Sequence, residues 1–129
     1  MSTISVIRPK WDAETLKSRD VDVKASAGTI EAMAGHLLYK QADGSYKAYP
    51  VATAVEDAGF VGVLGEDVKL STTAKKCRVI EAGIVYIQAV RDAGIAATKV
   101  SDEAIRDYSA NKTAITFVDY SVKEAYHGV

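Results

Sequence analysis

At 129 residues with a formal net charge of −1, the chain is sized for one domain and carries no global field with which to hold nucleic acid. Its single cysteine, Cys77, excludes an internal disulfide, and with only two histidines, His36 and His127, it falls short of a structural zinc set. No apolar run approaches the ~20 residues of a membrane-spanning helix, and the start, MSTISVIRPKWD, lacks the basic flank and long apolar stretch of a secretion signal; synthesis in a cytoplasm is the expectation.

Residues 1–27 differ in character from the rest. Thr3-Ile4-Ser5-Val6-Ile7 alternates polar and apolar, Pro9 interrupts, and the only tryptophan, Trp11, follows. Residues 12–24, DAETLKSRDVDVK, are highly charged, with at most a weak helical turn near Ala13 to Lys17. This composition predicts an N-terminal arm outside the core, with a β-rich domain over 28–129.

From Gly28 onward the pattern is strand and turn. Gly35 to Lys40 is an apolar run, Asp43-Gly44 is a hairpin signal because both positions tolerate positive φ, and Tyr46 to Tyr49 alternates up to Pro50. Residues 51–59 fit a loop or one helical turn. In GFVGVLG, 59–65, β-branched and aromatic residues occupy both faces, which predicts a strand buried on both sides. The glycine spacing is G-x-x-G-x-x-G, not the G-x-G-x-x-G of a dinucleotide loop, and the extended pattern Glu66 to Leu70 follows where such a loop needs a helix. Gly62 and Gly65 therefore signal a bulge or a close backbone approach. After a polar turn at 71–76 come a strand Cys77 to Glu81, a break at Ala82-Gly83, a strand Ile84 to Val90 and another break at 92–94. Ser101 is placed to cap a helix with Asp102 and Glu103 in its first turn, running to about Asn111. Thr113 to Tyr120 alternates as a last strand, followed by a short tail. The fold class expected is mainly β with a minor α part: a small barrel-like or sandwich-like domain with one short helix and an extended N-terminal arm.

Residues able to carry chemistry do not converge in the sequence. Glu56-Asp57, Glu66-Asp67 and Asp102-Glu103 are sequence neighbours, and neighbours on a strand point to opposite faces rather than across a cleft. No nucleophile elbow and no phosphate-cradling loop occurs. Cys77 reads as a buried, inert thiol, His36 as a strand-edge residue, and Lys75, Lys76 and Arg78 as a solvated turn. Neither catalytic residues nor metal ligands nor a cofactor are expected. Seven tyrosines, among them Tyr39, Tyr46, Tyr49 and Tyr86, suit a core rim, an oligomer interface or an aromatic platform for sugars.

The order of these elements resembles the lambda-type head decoration (capsid-stabilising) proteins of tailed bacteriophages. The likeness runs over roughly 28–119: Ile30 to Tyr39 leading into the DG hairpin, then Ala58 to Leu64, then Val79 to Val85, then a Ser-Asp-Glu helix start and the strand from Thr113 to Val118. These are packing patterns rather than catalytic signatures. The resemblance implies a non-enzymatic homotrimer on the outer capsid surface of a virion, made in the host cytoplasm, with the major capsid protein as partner and neither nucleic acid nor membrane bound. It also implies an arm that orders on the shell. Thr3, Ile4, Ser5, Val6 and Ile7 suit addition as a strand to an open edge, and Trp11 suits an anchor. The alternative is a surface-displayed virion domain that binds glycans or host surfaces through exposed tyrosines; a small enzyme comes third.

Overall fold

A computed structural model describes residues 9–48, 60–95, 98 and 100–119. Five strands close into a barrel: β1 (Lys17–Lys24), β4 (Tyr46–Ala48), β3 (Leu37–Lys40), β5 (Gly62–Leu64) and β7 (Lys75–Tyr86), with β7 pairing back onto β1. β8 (Ala114–Val118) extends the sheet in parallel along Ala82–Tyr86, and β2 (Ile30–Ala32) pairs with β6 (Val68–Leu70) as a separate antiparallel ribbon. Two helices follow β7: α1 (Ile87–Asp92) and α2 (Asp102–Lys112). The chain is thus β-rich, as its alternation predicts.

The period of two along a strand sorts the apolar residues into two cores. Leu37, Val63 and Ile80 are paired across three neighbouring strands, and all three face an outer core shared with Phe60, Val90, Ile105, Ile115 and Phe117. One position along, Leu38, Leu64 and Val79 face the barrel interior with Val21, Val23, Tyr46 and Cys77. β5 is buried at all three of its residues because it forms a wall between the two cores, which is what GFVGVLG predicts. Its glycines serve close approach. A Cβ on Gly62 would stand 3.2 Å from the Tyr46 ring, and one on Gly65 would stand 2.8 Å from the Arg78 side chain.

Ser101 caps α2 as the sequence indicates, its hydroxyl accepting from the Ala104 N–H at 3.1 Å. β8 follows at once. Its Ile115 N–H donates to Thr113 Oγ1, while the Ser109 hydroxyl donates to the Ile115 carbonyl. These bonds satisfy one rung that a terminal strand would otherwise leave open.

Three expectations are corrected. Residues 17–25 belong to the barrel rather than to an arm: β1 pairs with β7 from Lys17 to Val23, and Val21, Val23 and Ala25 are buried. The high charge there is the solvent face of a strand whose other face is valine. Ala82-Gly83 does not end a strand, since β7 runs twelve residues through it. The predicted strand 84–90 changes to helix after Tyr86, so Ile87, Ala89 and Val90 enter the core from α1. The segment 51–59, left between loop and helical turn, and the tail after 119 lie outside the described residues.

Candidate functional site

The sequence places its candidate residues at the N-terminus. Thr3, Ile4, Ser5, Val6 and Ile7 lie outside the described residues. Trp11 does not, and it marks a strap. Trp11 forms an antiparallel bridge with Val85, the Asp12 N–H donates to the Ile84 carbonyl at 3.0 Å, and the Tyr86 N–H donates to the Lys10 carbonyl at 2.9 Å. Downstream, a single 3-10 turn over Ala13–Thr15 is capped by Asp12, whose Oδ1 accepts from the Glu14 N–H. The Thr15 hydroxyl donates to the Asp12 carbonyl and accepts from the Ile84 N–H at 2.9 Å. This turn crosses β7 where Gly83 has a φ of 117°; a Cβ there would meet the Thr15 carbonyl oxygen at 2.7 Å. Only glycine serves at that crossing. The Trp11 side chain is half-buried and packs against the chain's own outer core.

Beneath the strap lies a polar cluster that sequence reasoning missed. The register slips by one residue between Lys17 and Ser18, leaving Glu81 as the extra residue of a bulge in β7. Glu81 receives the Arg19 guanidinium at 2.6 and 3.1 Å and the Tyr46 hydroxyl on Oε2. The Arg19 hydrogen bond holds the Glu81 carboxyl below its ordinary range and raises the Arg19 guanidinium in return. Burial, reinforced by the hydrogen bond to Glu81, pushes the Tyr46 hydroxyl up to about 12. All three groups prefer the protonation state in which they already bind one another. The cluster therefore fastens the bulge and offers no group poised to exchange a proton near neutral pH. A signal was present in the sequence: Arg19-Asp20-Val21-Asp22-Val23 alternates, which is a strand pattern inside a charged stretch.

The remaining candidates stand as follows. Cys77 is buried, and burial raises its thiol pKa; its Sγ donates to the Lys75 carbonyl. His36 is buried ahead of β3 rather than lying at a strand edge. Lys76 and Arg78 are exposed and face Asp22 and Asp20 across β1. Among the described residues no group of three His, Cys, Asp or Glu side chains is arranged to hold a metal ion.

Of the tyrosines expected to form a platform, one is corrected. Tyr46 is buried in the barrel, 2% exposed, with its hydroxyl on Glu81, so it cannot grip a ligand. Tyr39 is half-buried, its hydroxyl 3.4 Å from that of Ser26, and Tyr49 lies outside the described residues. Shallow surface hollows remain, one at the hairpin lined by Arg19, Lys40, Asp43 and Lys76, and another along α2. No protein-family model and no curated protein matches the chain.

Proposed function

We propose that the chain is a non-enzymatic decoration protein: a homotrimer that binds the major capsid protein on the outer surface of a tailed-phage head and stabilises the shell, after synthesis in the host cytoplasm. The likeness in element order supports this reading. The observation that carries it furthest is the strap. Residues 10–12 are fixed to β7 by backbone hydrogen bonds, so the alternating segment Thr3–Ile7 starts from a rigid root. Eight residues upstream of Pro9 reach up to ~27 Å when extended, far enough to meet a neighbouring surface.

Magnitudes favour several arms acting together. Ordering the five residues Thr3–Ile7 costs about 5–10 kcal/mol. Strand addition returns about 1 kcal/mol per hydrogen bond. Burial of Ile4 and Val6 returns about 2 kcal/mol each. One arm comes out near zero, whereas three arms on one trimer bind through effective concentration.

The test is a capsid pelleting assay with a chain lacking residues 2–8, a deletion that stops short of the strap. Binding is expected to vanish while the melting temperature stays within a few degrees. Undiminished pelleting of that variant sinks the arm as the binding element.

A further inference from the structure

Among the described residues, the strand registers set two charged side chains directly opposite one another at four places. Three of these pairs are of opposite sign: Asp20 with Arg78, Asp22 with Lys76, and Glu31 with Lys69. The fourth is not, for Lys24 on β1 stands opposite Lys47 on β4. Residues opposed across a ladder point to the same face, one strand spacing or ~4.8 Å apart. Val23, Ala25, Tyr46 and Ala48 are buried, so the alternation turns both lysines to the outer face of the barrel. Like charges so placed are destabilising. This pair is also the least solvated of the four: Lys24 and Lys47 are half-buried, whereas the residues of the three complementary pairs are all exposed. Partial burial weakens the screening that would separate two surface charges. Among the described residues neither lysine makes an ion pair.

The surroundings do not answer this charge. The Ser45 hydroxyl and N–H hold the Asp43 carboxyl below its ordinary range, and Lys24 adds only a lesser pull. Asp22, two residues before Lys24, faces Lys76. On the far side of Lys47 the row continues to Tyr39, whose hydroxyl lies 3.4 Å from that of Ser26. The Ser26 hydroxyl donates to the Ala48 carbonyl at 2.9 Å, so the Tyr39 proton is the one that closes the Tyr39–Ser26 contact. The two ammonium groups therefore remain as donors on this row. A carboxylate laid across both removes their repulsion, and each N–H···O⁻ bond it accepts is of the stronger, charge-assisted kind. The chain as a whole carries −1, which gives a long polyanion such as nucleic acid no general attraction, whereas a short acidic stretch of protein needs only the local pair.

We propose that the Lys24–Lys47 pair is a second contact with the partner, one that receives a carboxylate-bearing segment of the capsid protein on the outer face of the barrel. The identity of the partner rests on the reading above; the anion-binding row does not. The full chain is compared with Lys47→Glu, with Lys24→Glu/Lys47→Glu, and with Lys112→Glu as an exposed control on α2. Lys47→Glu is expected to raise the melting temperature, because it turns a like pair into a complementary one, and yet to weaken capsid pelleting about tenfold. The double variant should melt near the native temperature and pellet more weakly still, with less dependence on salt. Lys112→Glu should pellet as the native chain does. Independently of capsids, poly-glutamate titrated at low salt should shift the Lys24 and Lys47 amide resonances of the native chain and not those of the double variant. Both variants pelleting as tightly as the native chain overturns this contact and leaves the decoration reading standing. Absence of any poly-glutamate shift also overturns it, as does tighter binding of a single-stranded oligonucleotide at the same resonances. A changed solution mass in the double variant with unchanged pelleting overturns it too, by assigning the pair to a contact between copies. Poly-glutamate shifts at both lysines in a chain that does not pellet uphold the anion-binding row and overturn the decoration reading.

Discussion

The barrel interior and the outer core share the same strands but not the same kinds of residue. Inside the barrel are Val21, Val23, Ala25, Ala32, Ala48, Cys77 and Val79, with a few leucines and one large side chain, Tyr46. Outside it, between the sheet and the helices, are Phe60, Phe117 and a series of isoleucines. A five-stranded barrel encloses little space, so small and β-branched residues fill it. A sheet facing helices leaves a gap roughly 10 Å deep and requires larger groups. The interior also holds a polar contact: the Tyr46 hydroxyl crosses to Glu81 in the wall. The outer core takes its stability from volume, and the barrel takes its register from a few placed groups.

That difference can be broken at its strongest points first. Phe117→Ala in the outer core removes a ring packed edge-on to Phe60 at 5.8 Å, and should cost about 3–5 kcal/mol in urea unfolding. Cys77→Ala in the interior removes one small group and should cost about 1 kcal/mol. Equal losses at the two sites would refute the division into a volume-dependent core and a register-dependent barrel.

Gly83→Ala tests the strap next. Its φ of 117° and the 2.7 Å approach of the Thr15 carbonyl act together, and a loss of about 3 kcal/mol is expected. Gly44→Ala in the hairpin has a φ of 90° but open space around it, so only the conformational cost of about 1–2 kcal/mol remains. A Gly83 variant no worse than the Gly44 variant would mean that the strap lifts freely from β7.

The Tyr46–Glu81 bond predicts a pH signature. The folded state raises the Tyr46 pKa from 10.0 to about 12, so it favours the neutral phenol. The resulting stability is fully present below pH 10.0 and is lost as pH rises through about 12. Glu81 is shifted the other way: its contribution is present above the ordinary carboxylate range and is lost as pH falls through its lowered pKa. Tyr46→Phe should cost about 1–2 kcal/mol at neutral pH and remove the alkaline slope, while Glu81→Gln should flatten the acid limb. Chemical denaturation across pH reads both. An alkaline slope that survives in Tyr46→Phe would assign it to another group.

The outer core was the more legible of the two in the sequence. Runs such as Phe60 to Leu64 and the alternation from Thr113 to Val118 present their large residues openly, and Ser101 with Asp102 and Glu103 declares its helix. The barrel's closing strand did not read as core, because β1 contributes only Val21 and Val23 among charged neighbours. What makes it a strand is β7, some sixty residues away, and no local propensity encodes that pairing. The strand-to-helix change at Tyr86 was hidden for a related reason. Ile84 to Val90 is apolar apart from Gln88, and period alone cannot separate a strand from a short helix in so brief a run. Of the candidate site, the sequence marks Trp11 as an anchor for a partner surface, whereas its side chain packs against the chain's own outer core. Arg19 and Glu81 escaped notice because the alternation from Arg19 to Val23 signals a strand but not the bulge that brings the two charges together.

The smallest expected effect sharpens the comparison on the barrel's own wall. Lys76 and Asp22 face each other at 3.7 Å, with side chains 73% and 50% exposed, whereas Arg19 reaches Glu81 through two hydrogen bonds above a bulge. Both are cross-strand pairs between β1 and β7, and they differ in solvation and in what they hold. Lys76→Ala removes a screened contact between flexible chains and should change stability by less than about 0.5 kcal/mol, fading further in salt. Arg19→Ala removes the main cause of the lowered Glu81 pKa, so the acid limb of the pH profile should flatten, as in Glu81→Gln, while the Lys76 variant keeps the native profile. Matching pH profiles for the two variants would reduce the Arg19–Glu81 pair to one more surface contact. Divergent profiles would make it the fastener of the bulge, the point where a charged strand is kept in register on a barrel too small to hold it by volume.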